Sequence, residues 1–153
     1  MYITRLLPEH LDEWGRIEQA SFPDPWSYAQ MAEELSREDA WYAALMEDGR
    51  LIGYGGMYIV LDEGNITNVA VDKPFRRNNG GRMIIEAIVN EALSRKLSFV
   101  TLEVRESNLP AVRLYEVCGF SRVGVRRGYY QRPVENAILM TRVLASEDAE
   151  ERP

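Results

Sequence analysis

The sequence predicts a mixed α+β fold of the α/β kind: one domain over residues 1–145, with a central sheet of about six or seven strands flanked by about four helices. Three observations carry that expectation. An Asp48-Gly49 turn between two apolar runs signals a hairpin whose meander continues to Val71. A short turn at Asn79-Gly80-Gly81 opens a helix whose apolar arc is too wide for a surface helix. Strand, helix, strand and strand signals then follow in order.

Each element has its own signal. Tyr2 to Leu6 reads as a short strand, and Pro8 to Ala20 as a helix with Leu11, Trp14, Ile17 and Ala20 on one face. Pro23 and Pro25 end that helix. Ser27 is the N-cap of a second helix through Tyr28, Met31 and Leu35. With Glu33 and Glu34 beyond the first turn, no capping box is expected there. Trp41 to Met46 and Leu51 to Val60 are the hairpin strands, and Gly53, Gly55 and Gly56 mark bulges or close backbone approach. Leu61 to Gly64 reads as a turn and Asn65 to Val71 as the third meander strand. The long helix carries Met83, Ile84, Ile85, Ala87, Ile88, Val89, Ala92 and Leu93, so it packs on a sheet. Val100, Leu102 and Val104 alternate with Phe99, Thr101 and Glu103 in a strand from Ser98 to Val104. Asn108 to Cys118 is a helix with Pro110 in its first turn and Gly119 as its C-cap. Phe120 to Tyr130 and Ala137 to Leu144 close the sheet.

Composition narrows the function classes. Of 153 residues 46% are hydrophobic, enough for a packed core and too many for a disordered chain. The net charge of −6 argues against a nucleic-acid binder, which shows a basic balance or a basic face. No apolar run approaches the roughly 20 residues of a membrane span. The start, Met1-Tyr2-Ile3-Thr4-Arg5, has no signal-peptide core. Cys118 is the single cysteine, with no Cys/His cluster to hold a metal, and the cytoplasm is the expected compartment. Cys118 reads as core packing beside a helix end, and His10, near a helix start, as solvated. Residues 146–153 are charged and read as a frayed tail.

Two places carry chemistry. Val69-Ala70-Val71 ends a strand, and Arg76-Arg77-Asn78-Asn79-Gly80-Gly81-Arg82 follows it into a helix. A strand, a glycine turn and a helix N-terminus expose unpaired N–H groups at the positive end of a helix dipole, a nest that suits a phosphate or pyrophosphate. The same residues also fit an ordinary strand-to-helix turn. Glu103, in mid-strand, and Tyr115, on the helix that follows, can meet in one crevice at the strand's C-terminal end. There a carboxylate could accept a proton and a phenol donate one. Equally, Glu103 fits a strand-face carboxylate paired with Arg105 or facing solvent, and Tyr115 a core aromatic.

Together these residues resemble the GNAT superfamily of N-acetyltransferases. The segments that carry the likeness are Ser21 to Ser27, Asn68 to Val71, Arg76 to Gly81, Leu102 to Asn108, Ala111 to Glu116, Gly119-Phe120 and Arg126 to Tyr130. Their order and spacing cover nearly all of residues 1–144. Within the superfamily the chain is most similar to the bacterial ribosomal-protein-alanine type. The resemblance implies a GNAT-like fold, acetyl-CoA as donor, an amine as acceptor and no metal. It implies that Arg76 to Arg82 hold the pyrophosphate and that Val69, Ala70 and Val71 pair with the pantetheine arm. Asn108 matches a cofactor contact, Glu103 a general base and Tyr115 a general acid toward the departing thiolate. The family turn usually reads Arg/Gln-x-x-Gly-x-Gly/Ala. Here Asn79 stands at the first glycine, Gly80 in the variable slot and Gly81 last. Asn tolerates the left-handed region better than most residues, so cofactor binding is expected to survive.

The resemblance also puts Phe22, Trp26, Tyr129 and Tyr130 on the acceptor side, where aromatic and proline walls suit the end of a peptide. Phe22 and Trp26 also suit packing of their loop onto the sheet. The expected reaction is acetylation of a peptide or protein N-terminal α-amine, with a small-subunit ribosomal protein as the family's usual acceptor, and with no nucleic-acid or membrane partner. The alternatives are a lysine side chain or small-molecule amine as acceptor, or a non-catalytic CoA-binding module.

Overall fold

The structure is a computed structural model that describes residues 1–144; the tail expected at 146–153 lies outside the described residues. Its elements are β1 (Tyr2–Arg5), α1 (Leu11–Ser21), α2 (Tyr28–Ser36), β2 (Ala40–Glu47), β3 (Arg50–Val60), β4 (Glu63–Val71), α3 (Gly80–Ser94), β5 (Phe99–Arg105), α4 (Leu109–Val117), β6 (Ser121–Gln131) and β7 (Val134–Val143), with 3₁₀ turns at Pro8–His10 and Lys73–Phe75. The seven strands run in the order β1-β2-β3-β4-β5-β7-β6. The β4–β5 pair is parallel, and β1–β2, β2–β3, β5–β7 and β6–β7 are antiparallel. This is the expected mixed sheet with four helices. The chain divides into two compact units, Met1–Tyr58 with Thr67–Ile88, and Ile59–Ile66 with the residues from 89 onward.

In the first unit, α1 turns Trp14 and Ile17 fully inward. Trp14 lies 5.4 Å, centroid to centroid, from both Tyr42 and Tyr54. Burying side chains of this size contributes about 1.5–3 kcal/mol each, which fixes α1 to the meander. Ser27 caps α2 as expected, accepting from the Gln30 N–H at 3.1 Å. The capping box that Glu33 and Glu34 could not make is made by Gln30, whose side chain accepts from the Ser27 N–H at 2.8 Å. Asp48 and Gly49 take φ of 50° and 76°, the left-handed pair of a type I′ hairpin. Between the pairs Leu45↔Gly53 and Met46↔Leu51, Ile52 is an extra residue, a bulge beside a strand glycine. The other two glycines mark close approach: a Cβ on Gly55 would stand 2.4 Å from Ile84, and one on Gly56 2.2 Å from the Tyr42 ring. Two expectations need correction. His10 is buried rather than solvated, because its Nδ1 accepts the Leu7 N–H at 2.9 Å. The turn after β3 is shorter than Leu61–Gly64; Leu61 takes φ 54°, and Glu63 and Gly64 already belong to β4.

In the second unit, β4 and β5 pair from Glu63↔Phe99 to Asn65↔Thr101. Val100, Leu102 and Val104 are buried, leaving Thr101, Glu103 and Arg105 on the other face. Asn108 caps α4, accepting from the Ala111 N–H at 3.3 Å. The end of α4 is a Schellman motif: Gly119, at φ 92°, donates its N–H to Glu116 and Phe120 donates to Tyr115, each at 3.0 Å. Cys118 is buried at that helix end, as expected. β7 starts at Val134, three residues before its apolar pattern begins.

Candidate active site

In the first unit, the end of β4 has one edge committed to β3. Asp72 donates its N–H to Ile52 O at 2.7 Å, and the carbonyls of Asn68 and Ala70 lie over Gly55 and Gly53. Backbone alternation therefore turns the amides of Val69 and Val71 to the opposite edge. There the Val71 carbonyl accepts from Arg76 Nε at 2.8 Å, which ties the first arginine of the turn to the strand end. Asp72 holds the same corner, accepting from the Lys73 N–H at 3.1 Å and pairing with Arg16 at 3.0 Å. Arg77 and Asn79 then take φ of 68° and 67°. Asn79 thus adopts the left-handed conformation its glycine-like place demands. The α3 ladder begins with Met83 N–H donating to Asn79 O at 3.0 Å, so the N–H groups of Gly80, Gly81 and Arg82 project from the helix start. Gly80 is buried, and a Cβ there would stand 2.7 Å from Leu45 Cδ2, so the turn lies tight on β2. Asn78 is exposed, as are the three arginines; Arg82 pairs with Glu86 at 2.7 Å, and Arg77 has no side-chain partner among the described residues. Backbone donors and arginine charge fit a pyrophosphate, and the missing Cβ of Gly80 lets the turn sit against Leu45.

Phe22 and Trp26, in the loop between α1 and α2, are half-buried and pack on the Trp14 cluster. Trp26 meets Trp14 edge-on at 6.2 Å and lines a cavity of ≈ 370 Å³ with Met31, Tyr28 and one face of α1. Glu18, only 1% exposed, ties the loop down: its carboxylate accepts from the Trp26 N–H at 3.0 Å and from the Tyr54 hydroxyl. Burial, followed by the Glu18 charge, pushes the Tyr54 phenol up. Sequence reading missed Glu18, although its place on the Trp14–Ile17 arc is a signal: a carboxylate on a buried face needs donors.

In the second unit, the side chain of Glu103 is 25% exposed and its Oε1 lies 3.2 Å from Arg126 Nε. The pairing with Arg105 is not formed. Arg105 Nη1 lies 3.3 Å from Glu135 Oε1, its guanidinium donates to the carbonyls of Arg132 and Pro133 at 3.0 Å, and it stacks over Tyr130 at 4.3 Å. Glu135 also accepts from the Ser107 N–H at 2.6 Å, which with Arg105 holds its carboxyl below the usual range. Tyr129 stands perpendicular to Tyr130 at 5.1 Å. The Tyr130 phenol is pushed up to about 12, mostly by burial, then by Tyr129 and the carboxylates of Glu103 and Glu135, against Arg105. The Tyr115 phenol is likewise pushed up to about 12, by burial first and then by Tyr130. This unit therefore carries a carboxylate acceptor, Glu103, and two phenols, Tyr130 and Tyr115, whose ionisation burial opposes. Arg126 and Glu135 are partners to which sequence reading gave no role, and Arg105, read there as a pair for Glu103, serves Glu135 instead.

The described residues hold no group of acidic, histidine or cysteine side chains able to bind a metal, and no helix long and apolar enough to cross a membrane. Residues 7–120 match the model of the Acetyltransferase (GNAT) family. The chain is 34% identical over 126 residues to the [ribosomal protein bS18]-alanine N-acetyltransferase of Escherichia coli (strain K12), covering 81% of this chain and 84% of that one. It is 32% identical over 143 residues to the same-named protein of Haemophilus ducreyi, covering 90% and 97%. The crystal structure of the ribosomal-protein-S18-alanine N-acetyltransferase from Escherichia coli superposes with a TM-score of 0.84 at 33% identity, over 93% of this chain and 92% of that one. By sequence over most of its length and by architecture, this chain belongs to the GNAT family of acetyltransferases.

Proposed function

We propose that the enzyme moves the acetyl group of acetyl-CoA directly to the N-terminal α-amine of a protein, of the alanine-first ribosomal kind. Its relatives named for bS18-alanine acetylation span most of both chains, which supports that acceptor class. The observation that carries the chemistry is the Glu103 carboxylate, a quarter exposed on β5 and held at 3.2 Å by Arg126, on the strand that leads into the helix of Tyr115.

Bound acetyl-CoA supplies an activated acetyl thioester. The N–H groups of Gly80, Gly81 and Arg82, with Arg76, Arg77, Asn78 and Asn79 around them, hold its pyrophosphate. The edge of Val69, Ala70 and Val71, where the Val69 and Val71 amides face outward, would pair with its pantetheine arm. The Asn108 side-chain oxygen caps α4, which leaves its amide N–H₂ as the group that would contact the cofactor. Phe22 and Trp26 of the first unit, and Tyr129 and Tyr130 of the second, are each acceptor-side candidates by the family likeness. Glu103 accepts one proton from the amine nitrogen, directly or through water, which contributes about 10²–10⁴-fold. Tyr115 gives its proton to the leaving sulfur. A peptide α-amine has a pKa near 7.7–8.0, so part of it is already neutral at pH 7 and a single carboxylate suffices. The enzyme works in the cytoplasm as one GNAT domain over 1–145; a single cysteine, free and buried, supports a reducing compartment.

The test is turnover with acetyl-CoA and short peptides that differ in their first two residues, with the modified nitrogen located by mass spectrometry. Acetyl on a free N-terminal amine supports the proposal. Transfer only to ε-amines, or to none, rejects it.

A further inference from the structure

We infer that Arg126 is a specificity residue acting through Glu103: it makes the acceptor site select a neutral α-amine over a cationic side-chain amine. The inference rests on the α-amine reading above and deepens it. Glu103 is on β5 and Arg126 on β6, with β7 between them. Opposite them on β7 stand Leu139 and Ala137, two residues apart on one face. Over that face the two side chains meet, at 3.2 Å from Nε to Oε1. Arg105, two residues along β5 from Glu103, is taken up by Glu135, two carbonyls and the Tyr130 ring. Arg126 is therefore the cation that neutralises the proposed base.

A lone carboxylate attracts any ammonium. A carboxylate already matched by a guanidinium offers no net charge, and an ammonium brought to its other oxygen meets a like charge nearby. A neutral amine meets no such repulsion. Primary amines differ on this point. At pH 7 about one α-amine in ten is neutral for a pKa near 8, against about one lysine amine in 2,500 for a pKa near 10.4. The proton count agrees. As the N–C bond forms and the C–S bond breaks, a neutral amine gives one proton to Glu103, and the sulfur takes one from Tyr115. An ammonium must shed a further proton that Glu103 has no room for. The pair thus converts a difference in protonation into a difference in binding.

The test uses the full chain, acetyl-CoA at pH 7 and two peptides identical after their first residue. One has a free N-terminus and no lysine; the other has a blocked N-terminus and one lysine in first place. The readout is the ratio of kcat/KM on the lysine peptide to that on the α-amine peptide, in the parent enzyme, Arg126→Gln and Arg126→Lys. Arg126 is 55% exposed, so both variants are expected to keep the parent circular dichroism. Arg126→Gln raises the ratio by about three- to fivefold, the upper size of one solvent-screened charge pair, and Arg126→Lys holds it within about 1.5-fold of the parent. A ratio unmoved in Arg126→Gln, or moved as far in Arg126→Lys, overturns the inference. A parent enzyme inert on every free α-amine instead sinks the α-amine reading, and this inference with it.

Discussion

Tyr115 owes its place to the two residues that end its helix. Its carbonyl accepts the Phe120 N–H of the Schellman turn, and its ring packs edge-on against Phe120 at 6.0 Å. Held there, the phenol has its pKa pushed up to about 12 and stays protonated through pH 10. Its donor role therefore lasts to high pH. We expect kcat to show no alkaline fall from this group below about pH 10 and a decline as the pH nears 12. Tyr115→Phe lowers kcat by about 10²-fold with peptide KM little changed, measured by steady-state kinetics; an unaltered kcat removes Tyr115 from the mechanism. Asn79 invites the opposite test. At φ 67° it already has the backbone a glycine would supply. Asn79→Gly should change the acetyl-CoA dissociation constant by less than about threefold in calorimetry, since only a small left-handed cost of Asn is relieved. A tenfold gain, or binding seen only in the variant, would show that the asparagine side chain obstructs the turn.

At the scale of elements, the loop between α1 and α2 is anchored through one buried carboxylate. Glu18→Ala leaves the Tyr54 hydroxyl and the Trp26 N–H without their acceptor. We expect a loss of about 2–4 kcal/mol in urea unfolding and a raised peptide KM, with KM for acetyl-CoA held. Equal effects on both KM values would deny the loop its acceptor role. Most local signals were legible here: the Asp48-Gly49 hairpin, the Ser27 cap and the Gly119 helix end each need only a few neighbouring residues, whereas the Gln30 capping box and the Asn108 cap were passed over. Partners across strands were not legible. Arg126 reaches Glu103 only because β7 lies between β5 and β6 in the right register, a fact that no spacing along the chain contains. Glu18 and His10 escaped for a related reason, because polar residues read as exposed until the donors or acceptors that satisfy them are known.

For the whole molecule, the buried and half-buried tyrosines set an alkaline limit. Tyr115 and Tyr130 are both raised to about 12, and burial raises Tyr42, Tyr54 and Tyr58 as well. In the unfolded chain these phenols ionise near pH 10. Their contribution to stability is complete below that pH and is lost as the pH rises from about 10 toward 12, because the unfolded state releases protons that the fold retains. Urea midpoints should be level from pH 8 to about 9.5 and fall beyond; a midpoint that rises above pH 10 contradicts this. The order of elements and the strand-face alternation were legible because hydrophobic period and turn chemistry are local. The two half-buried loop aromatics, Phe22 and Trp26, were legible only in part, since the sequence allowed both packing and acceptor contact.

The central claim, that Glu103 takes a proton from an N-terminal α-amine as acetyl is transferred, is tested most directly by comparing the parent enzyme with Glu103→Gln on an alanine-first peptide. The parent should place acetyl on the α-nitrogen, and the variant should keep its circular dichroism while losing about 10²–10⁴-fold in kcat/KM. Equal rates for the two enzymes at every pH would contradict the claim.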